Sequence, residues 1–273
     1  MTSQADKGAR FRALHEQRAA FLIPNPWDVG SAKLLAHLGF HALATTSAGY
    51  AFSIGKRDNA VGRDAMIRHV AEIAAATDLP VSADLENGFG DAPDHVAETF
   101  RLGAAAGLVG ASVEDATGHA EHPIYDHELA VDRVRAAVAA ARALPYTFTV
   151  TARCENFLVG RPDLDDTIAR LLAYQQAGAD VLYAPGLAKL EDITAVVRAV
   201  DRPVNVLMGQ LTNPLTLTDM SAAGVKRVSV GGALCRAAYG EVLRAATEMQ
   251  THGTFSFADR AISHRDVSAM FGG

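Results

Sequence analysis

The fold of this chain is constrained most by a repeated pattern: an alanine- and leucine-rich segment, then a glycine, then a short run of apolar and β-branched residues. Gly39, Gly107, Gly178 and Gly224 each stand in the middle of one copy of this pattern. A glycine just past a helix supplies the left-handed conformation that turns the chain sharply into a strand. The repeat therefore predicts alternating helices and parallel strands.

Eight segments have the composition of buried strands, and helical segments separate most of them. The predicted strands cover residues 21–24, 42–47, 80–86, 108–114, 147–155, 180–184, 203–208 and 227–231, and the predicted helices include 63–77, 93–106, 128–144, 164–177, 190–200 and 233–253. Eight βα units close a barrel. We therefore predict the α/β class and a (β/α)8 TIM-type barrel. Residues 1–273 are expected to form one domain, with a helix within residues 1–20 and a C-terminal extension within 233–273.

The composition excludes several classes of function. Of the 273 residues, 49% are hydrophobic and only 7% are aromatic. This hydrophobic content is enough to form one large core, and the core would be mainly aliphatic. The net charge of −6 and the scattered basic residues argue against binding to nucleic acid or to an anionic membrane. No apolar run approaches the ~18 residues that span a bilayer, and no signal peptide is evident. Cys154 and Cys235 are the only cysteines, so we expect a cytoplasmic protein with free thiols and small-molecule partners.

Two predicted strands end in acidic side chains. Asp84 and Glu86 end the third strand, and Glu114 and Asp115 end the fourth. On an extended strand, Asp84 and Glu86 would leave the same face of the sheet. Several carboxylates at the mouth of a parallel sheet repel one another unless a cation lies among them, and oxygen ligands suit Mg²⁺ or Mn²⁺. The sequence therefore predicts a divalent-cation site at this end of the barrel.

Three predicted loops are longer than the others. They cover residues 48–62, 115–127 and 156–163, after the second, fourth and fifth strands. Active sites of such barrels form from the loops at the carboxyl ends of the strands. These three loops are therefore the candidates for the active site.

Several short motifs occur in order at the predicted strand ends. They are Asn25-Pro-Trp-Asp28, Thr45-Thr-Ser-Ala-Gly49, Arg57-Asp58, Asp84-Leu-Glu-Asn-Gly-Phe-Gly90, Val113-Glu-Asp115 and Ala152-Arg153. Together, from about residue 21 to residue 232, the chain resembles the isocitrate lyase / phosphoenolpyruvate mutase superfamily. The resemblance implies a barrel that binds Mg²⁺ and a 2-oxo or 2-hydroxy carboxylate, and that makes or breaks a C–C or P–C bond next to an enolate. It also implies a tetramer that exchanges its eighth helix.

The resemblance assigns the acidic group to metal binding. Asp84 would hold the cation directly or through water, while Glu86 and Glu114 would bind its water ligands. Asp58 would complete the acidic ring as a catalytic group. An enolate concentrates negative charge on one oxygen, so it needs preorganised cations and donors there. Glu86 departs from the family, in which Asp is usual. The alternative for these acids, above all Asp58 and Asp115, is a structural ion-pair network or a helix N-cap.

The loop after strand two is the expected binding site for the substrate carboxylate. Ser47, with the backbone of Ala48 and Gly49, resembles the donor group that holds the substrate carboxylate and carbonyl in the family. The alternative is that these three residues form only a turn.

Two side chains on later strands are expected to complete the substrate site. Arg153 would bind a substrate carboxylate through two hydrogen bonds and act in catalysis. Its alternative partner is Glu155, in a structural ion pair. Asn205 would add a hydrogen bond from the opposite wall, or would be a buried amide satisfied by the backbone.

The loop after strand four departs from the family pattern. Isocitrate and methylisocitrate lyases carry a Lys-Lys/Arg-Cys-Gly-His loop with a catalytic Cys, and phosphonate-transforming members use a Lys-Thr-Asn type loop. This chain has Glu114-Asp-Ala-Thr-Gly-His-Ala-Glu-His-Pro123, with neither Cys nor Lys. Cys154 is expected on the outer face of its strand and is a poor substitute. His119 or His122, on a mobile lid, is the candidate acid/base. The alternative is that these histidines are solvated or hydrogen-bonding loop residues without a catalytic role.

These observations predict a Mg²⁺-dependent lyase, with Mn²⁺ as an alternative metal. It would cleave a C–C bond of a small 2-oxo or 2-hydroxy carboxylate through a pyruvate-enolate-like intermediate, as an oxaloacetate decarboxylase or a methylisocitrate lyase does. Two alternatives stay open. One is a mutase or hydrolase of a phosphonate P–C bond, and the other is a non-catalytic barrel that binds a dicarboxylate.

Residues 233–273 exceed what a closed barrel needs. They carry apolar side chains at Val242, Leu243, Ala246 and Met249, and then at Phe255, Phe257, Ile262, Val267, Met270 and Phe271. Left exposed, these side chains would form an apolar patch of the kind that marks interaction surfaces. Exchange between identical subunits would bury the patch under closed symmetry. We therefore predict a homo-oligomer, with a tetramer as the expected form.

Overall fold

The structure is a computed structural model that describes residues 2–209 and 214–271. Its centre is one sheet of eight parallel strands in the order β1-β8-β7-β6-β5-β4-β3-β2. The strands are β1 Phe21–Ile23, β2 Leu43–Ala44, β3 Val81–Asp84, β4 Gly110–Glu114, β5 Thr149–Arg153, β6 Val181–Tyr183, β7 Val204–Leu207 and β8 Arg227–Ser229. Because β8 pairs with both β7 and β1, the sheet curves into a nearly closed barrel. The predicted (β/α)8 fold is confirmed.

Helices connect the strands and cover the outside of the barrel. They are α1 Gln4–His15, α2 Val29–His37, α3 Ser47–Ser53, α4 Arg63–Ala75, α5 Pro93–Ala105, α6 His127–Arg142, α7 Leu164–Gln176, α8 Leu190–Ala199, α9 Leu217–Ala222, α10 Ala233–His252 and α11 His264–Phe271, with a short 3₁₀ helix at Ser256–Arg260. The four glycines of the sequence repeat follow α2, α5, α7 and α9 with φ angles between 82° and 100°, as predicted for helix ends. None of the helices in the described ranges is long and apolar enough to cross a membrane.

The end of the second strand differs from the prediction. β2 pairs only over Leu43–Ala44, and Ser47 already begins α3, so residues 48–62 are not one continuous loop. Thr46 caps this helix, because its hydroxyl accepts a hydrogen bond from the N–H of Gly49 at 3.2 Å. A threonine reads as a strand residue from its branched Cβ, but its hydroxyl also makes a good N-cap. In this chain Thr46 acts as the N-cap of α3, and the strand therefore ends earlier than predicted.

The seam of the barrel lies between β1 and β2, the two ends of the strand order, and the side chain of Asn25 crosses it. The amide nitrogen of Asn25 donates to the carbonyl of Thr45 at 3.2 Å. Its Oδ1 accepts from the N–H groups of Val230 and Gly231 at 2.8 Å and 2.9 Å. One buried amide therefore joins the ends of β1, β2 and β8.

A buried arginine and α1 close the opposite end of the barrel. The Nε of Arg227 donates to Oδ1 of Asn205 at 2.8 Å, and its Nη2 donates to the hydroxyl of Thr151 at 3.0 Å. Its Nη1 lies 3.4 Å from Nε2 of His15, whose Nδ1 lies 2.9 Å from the carbonyl oxygen of Phe11. A carbonyl oxygen can only accept, so we assign the His15 proton to Nδ1 in a neutral ring.

The buried position of His15 predicts a loss of stability in acid. Burial and the charge of Arg227 lower the pKa of His15 to about 3, against about 6.5 in the unfolded chain. As the pH falls, the unfolded chain binds this proton first. The contribution of neutral His15 is therefore complete above about pH 6.5 and is lost towards about pH 3. Between about pH 8 and about pH 5, urea unfolding should show a loss of about 2 kcal/mol from this group.

The variant His15→Gln should lack that part of the pH dependence, although it is expected to be less stable at every pH. His37→Gln, at an exposed position at the end of α2, serves as the control and should follow the native chain. The same pH dependence in His15→Gln as in the native chain would contradict the prediction.

Both cysteines are buried free thiols. Burial and the negative charge of Asp115 raise the pKa of Cys154, which lies towards Thr167 and Arg170 of α7. This agrees with the prediction that Cys154 faces the helices. Cys235 lies in the first turn of α10, with its Sγ 3.7 Å from the carbonyl oxygen of Gly49.

The last long helix exposes large apolar side chains. Leu243 is 68% exposed and Val242 is 63% exposed. Met249 on the same helix and Phe255 beyond it are exposed as well. α11 lies against α2 of its own chain, so α10 carries much of the uncovered apolar surface. The predicted exchange segment runs to Gly273, and its last two residues lie outside the described residues.

Candidate active site

Two cavities lie at the site predicted from the sequence. A cavity of about 180 Å³ inside the barrel has Ser47, Ala48, Asp58, Asp84, Arg153, Asn205 and Arg227 on its walls. A larger cavity of about 830 Å³ is lined by Glu86, Glu114 and His119, with Arg63 and Arg68 of α4. The two cavities bring together the predicted site residues except Gly49 and His122.

Arg153, at the end of β5, is the cation among the acidic side chains. Its Nη1 donates to Oδ1 of Asp84 at 2.8 Å, and its Nε donates to Oε1 of Glu155 at 2.9 Å. Its Nη2 lies 3.2 Å from Oε2 of Glu114. The side chain is only 12% exposed. The ion pair with Glu155 is therefore present, but Arg153 also binds two of the acids predicted to hold the metal.

Burial gives these acids an unusually high affinity for protons. Burial, followed by the charges of Asp84 and Asp58, raises the pKa of Glu86 to about 8. Burial also raises the pKa of Glu114 well above its usual range, against the opposing charge of Arg153. Burial and the charge of Asp84 raise the pKa of Asp58 at the rim. One guanidinium therefore does not balance the negative charge around it.

Glu86 reaches the site by a route that strand alternation does not describe. β3 ends at Asp84, and Glu86 has a left-handed φ of 49°. The expectation that both residues leave one face of a continuous strand is therefore wrong. The N–H of Glu86 donates to Oδ1 of Asp84 at 3.2 Å, and this local turn brings the two residues together. Among the residues that the structure describes, Oε1 of Glu86 is buried without a hydrogen-bond partner, which is costly unless a cation or water satisfies it.

The acidic group fits a hydrated divalent cation. Within residues 2–209 and 214–271, no three His, Cys, Asp or Glu side chains form a complete metal cage. Mg²⁺ does not need such a cage, because it keeps several waters and binds through one or two carboxylates. The buried, unpartnered oxygen of Glu86 beside Asp84 supplies the kind of acceptor that such a hydrated ion satisfies.

Ser47 and Ala48 begin α3 at the edge of the cavity inside the barrel, and their role in substrate binding stays a prediction. The hydroxyl of Ser47 donates to Oδ2 of Asp84 at 2.8 Å and lies 3.5 Å from Oδ1 of Asp58. Ala48 borders the same cavity. Ser47 therefore connects the predicted carboxylate-binding loop directly to the acidic group.

Gly49 has a different role from the predicted one. Its N–H donates to the hydroxyl of Thr46 within the cap of α3. A Cβ at Gly49 would lie 2.6 Å from Cγ2 of Thr46 and 2.9 Å from Cβ of Trp27, which are distances that real Cβ atoms avoid. The structure therefore assigns Gly49 to the packing of α3, and its prediction as a substrate donor is corrected.

Asn205 is satisfied by side chains rather than by the backbone. Its amide nitrogen donates to the hydroxyl of Ser229 at 3.0 Å, and its Oδ1 accepts from Arg227. It is 1% exposed but lies on the cavity wall. Its amide orientation is therefore set by β8, and a substrate role for Asn205 stays a prediction.

His119 and His122 both lie exposed on the loop between β4 and α6. The hydroxyl of Thr117 donates to the carbonyl of His122 and accepts from the N–H of His119 at 2.9 Å. His119 borders the larger cavity together with Glu86 and Glu114. The structure therefore brings His119, and not His122, towards the acidic group.

Asp115 points away from the cavity. Its carboxylate accepts from the hydroxyl of Tyr174 at 2.5 Å, from the N–H of Glu155 at 2.8 Å and from Nη1 of Arg170 at 3.3 Å. The predicted alternative of a structural ion-pair network therefore holds for Asp115. Since this network positions the backbone of Glu155, it also supports the neighbouring Arg153.

Arg133 is a buried group beside the site that the sequence alone did not identify. Arg133 of α6 is 1% exposed, and its guanidinium donates to the carbonyls of Asn87, Gly90 and Asp91. These carbonyls belong to the loop that follows Glu86. The sequence does carry one indication of this group: Arg133 is a single arginine on the otherwise apolar face of α6. A buried guanidinium requires hydrogen-bond acceptors.

The chain matches known proteins over most of its length. The family model described as phosphoenolpyruvate phosphomutase matches residues 11–250. The crystal structure of a lyase/mutase-like protein from Burkholderia cenocepacia J2315 has a TM-score of 0.97 at 62% identity, and covers 99% of this chain and 97% of that one. The 2-methylisocitrate lyase of Escherichia coli (strain K12) is 29% identical, over 78% of this chain and 73% of the relative. Oxaloacetate acetylhydrolase in complex with its product oxalate has a TM-score of 0.88 at 26% identity, over 100% and 96% of the two chains.

The matched region contains all eight strands and the acidic group around Arg153. Homologues with known activities are lyases or hydrolases that act on small carboxylates. The chain is therefore a member of the phosphoenolpyruvate phosphomutase family, within the isocitrate lyase / phosphoenolpyruvate mutase superfamily.

Proposed function

We propose that this chain is a Mg²⁺-dependent lyase, with Mn²⁺ as an alternative metal, that cleaves a C–C bond of a small 2-oxo or 2-hydroxy carboxylate. The reaction would pass through a pyruvate-enolate-like intermediate, as in an oxaloacetate decarboxylase or a methylisocitrate lyase. The acidic group around Arg153 carries the proposal, together with the buried Oε1 of Glu86, which has no hydrogen-bond partner in the described part of the chain. The similarity to 2-methylisocitrate lyase and to oxaloacetate acetylhydrolase supports it.

The acidic residues divide into one closer ligand and two outer ones. Asp84 would hold the cation directly or through water, while Glu86 and Glu114 would bind its water ligands. When bound, Mg²⁺ supplies a Lewis acid that stabilises the charge of an enolate oxygen. Asp58, at the rim and near Ser47, would complete the acidic ring.

The substrate carboxylate would lie between β2, β5 and β7. The Ser47 hydroxyl, the backbone of Ala48 and the amide of Asn205 would orient it. The Arg153 guanidinium would supply the positive charge. Because Ser47 and Arg153 already bind Asp84, a bound carboxylate competes with Asp84 for both donors and leaves that acid available to a cation.

A proton donor is needed where the enolate carbon becomes protonated after the C–C bond has broken. His119 is the proposed donor, because it borders the cavity that Glu86 and Glu114 line and imidazole suits proton transfer at neutral pH. His122 would serve only after the loop moves inward. The chain has no cysteine in this loop, so the cysteine-dependent route of the family's lyases is not proposed.

The test is a panel of substrates with and without metal. Oxaloacetate, 2-methylisocitrate and phosphonopyruvate would each be incubated with the protein in Mg²⁺, after metal stripping, and in Mg²⁺ with excess chelator. We expect turnover of a C–C substrate that requires the metal, and thermal stabilisation by oxalate only when Mg²⁺ is present. Turnover that survives metal stripping would reject the metal assignment.

The same panel separates the two alternatives. Turnover of phosphonopyruvate alone would favour P–C chemistry, which the description of the matching family model supports although the loop after β4 lacks the lysine of those members. Binding of oxalate without turnover of any member would favour a non-catalytic carboxylate-binding barrel.

We also propose that the chain forms a homo-oligomer, with a tetramer as the expected form, through the exposed face of α10. Leu243 and Val242 are the most exposed large apolar residues of this helix. Burying them against an identical subunit removes apolar surface from water. Light scattering at micromolar concentration should detect the oligomer in the full chain.

A point variant makes this assembly test sharper. Leu243→Glu should dissociate the oligomer, because it would bury an unpaired charge at the contact. Thr251→Glu, at an exposed polar position on the other side of the same helix, adds the same charge outside the apolar face and should not. A full-length monomer at micromolar concentration would reject the proposal.

A further inference from the structure

Arg133 binds the loop after Glu86 through backbone carbonyls. Its Nη1 donates to the carbonyl of Gly90 at 2.6 Å and to that of Asp91, while its Nη2 donates to the carbonyl of Asn87. None of the ion pairs within the described part of the chain involves Arg133. Its charge therefore serves to hold the shape of residues 86–91.

Tyr125 connects this loop to the lid loop, which is the loop between β4 and α6 that carries His119. The guanidinium carbon of Arg133 lies 4.1 Å from the centre of the Tyr125 ring. The Tyr125 hydroxyl donates to Oδ1 of Asp91 at 2.6 Å and accepts from the amide nitrogen of Asn87 at 3.3 Å. The same Asn87 amide lies 3.4 Å from the carbonyl of Thr117. The loop that carries His119 and the loop that follows Glu86 therefore share one set of contacts.

The loop needs such support, because its backbone is strained. Glu86 has a φ of 49° and Phe89 a φ of 60°, and Gly88 between them has a φ of 80°. A left-handed conformation is unfavourable for a residue other than glycine. The strain persists only where surrounding contacts impose it. The three carbonyl contacts from Arg133 enclose Gly88 and Phe89 and begin at the residue directly after Glu86.

We propose that Arg133 is a positioning residue that preorganises Glu86 for a divalent cation and, through Tyr125, couples the cation site to the lid loop. The inference rests on the proposed metal-dependent function. Groups that orient metal ligands without touching the metal typically change its affinity by about 10–100-fold when they are lost. Arg133 holds the backbone on the far side of Glu86 from Asp84, and so sets where the Glu86 carboxylate lies.

The test uses Arg133→Met and Arg133→Lys in the full-length protein. Arg142→Met is the matched control, because Arg142 lies on the same helix and also binds two carbonyls, at 3.3 Å and 3.2 Å, at the opposite end of the barrel. Binding of Mn²⁺ alone, followed by the electron paramagnetic resonance signal of the free ion, should weaken at least about tenfold in Arg133→Met. Arg133→Lys should be intermediate, since an ammonium cannot match the guanidinium fork. Arg142→Met should bind Mn²⁺ as the native chain does.

Hydrogen exchange without metal tests the loop itself. Amides of residues 86–91 should exchange at least about tenfold faster in Arg133→Met than in the native chain, with little change in Arg142→Met. Tyr125→Phe, which keeps the ring but loses the hydroxyl, should speed exchange in residues 86–91 and in residues 115–125 together.

The two readouts separate the inference from the function on which it rests. Native Mn²⁺ affinity in Arg133→Met would overturn the inference and leave the proposed function standing. A native chain that binds no Mn²⁺ would overturn the proposed metal-dependent function and the cation part of the inference, while the exchange rates would still show whether Arg133 holds the loop. Unchanged exchange in residues 86–91 would reject the positioning role itself.

Discussion

Replacing Asp84 with alanine is expected to lower kcat/KM by about 1000-fold while the protein stays folded. Asp84 is the acid assigned closest to the cation, and its carboxylate also receives Ser47 and Arg153. The fold should survive, because Arg153 keeps Glu114 and Glu155 as partners. Loss of Asp84 also relieves repulsion with Glu86. We expect the melting temperature to change by no more than about 3 °C, and the dependence on Mg²⁺ to disappear with the activity.

Asp180→Ala is the control for this variant. Asp180 also pairs with an arginine, at 2.6 Å from Nη2 of Arg142, but at the opposite end of the barrel. It should retain native kinetics. Glu114→Gln should weaken Mg²⁺ binding less than Asp84→Ala, since its role is through water. An Asp84→Ala protein that unfolds would show instead that Asp84 is structural.

Replacing Arg153 with methionine is expected to abolish activity and to destabilise the protein by about 3–5 kcal/mol near neutral pH. Three carboxylates, on Asp84, Glu114 and Glu155, would lose their common cation in a site that is mostly buried. Urea unfolding measures the loss. Arg142→Met breaks a more exposed pair with a single carboxylate, and should cost less than about 1 kcal/mol.

The destabilisation should depend on pH in a defined direction. Burial raises the pKa of Glu114 and of Glu155 in the folded protein, and Arg153 opposes both shifts. Without Arg153 the folded-state pKa values rise further above the unfolded values. The folded variant therefore loses stability, relative to the native chain, as the pH rises through the raised folded-state pKa values of the native protein and beyond. The difference between the two proteins should be smaller near pH 5 than near pH 8, and a constant difference would contradict this explanation.

The barrel could be predicted from the sequence because its signals are local. A glycine that follows an amphipathic helix acts within a few residues, so Gly39 and Gly107 mark helix ends whatever the rest of the chain does. The predicted second strand, 42–47, is longer than the observed one, because Thr46 suits both a strand and a helix cap. Its cap hydrogen bond to Gly49 involves a residue of the next helix, and composition alone does not distinguish the two outcomes.

The acidic group could be predicted, but its internal geometry could not. Motif order placed Asp84, Glu86 and Glu114 at neighbouring strand ends, which the topology confirms. Strand alternation failed at Glu86, because the backbone turns left-handed there. Asp115 follows Glu114 directly, yet points into the network of Arg170 and Tyr174. The direction of Asp115 depends on partners more than 50 residues away in sequence, whereas the turn at Glu86 is local.

Arg133 and Asn25 were missed as structural residues for a common reason. Both bind backbone groups of distant segments, and a carbonyl or an N–H is present at nearly every position of a chain. No residue type in the partner segment records the contact. A buried polar side chain on an apolar helix face signals that a partner exists, but leaves its identity open.

The two buried thiols of the native chain can react with a thiol reagent only when the structure around them opens, so their labelling rates measure local opening. Cys235 lies beneath the start of α10, against Gly49, so a thiol reagent reaches it only when α10 separates from α3. Cys154 lies between β5 and α7, so its labelling requires that a different layer opens. Labelling rates at the two positions therefore distinguish release of the C-terminal helix from opening of the barrel wall, without any engineered residue.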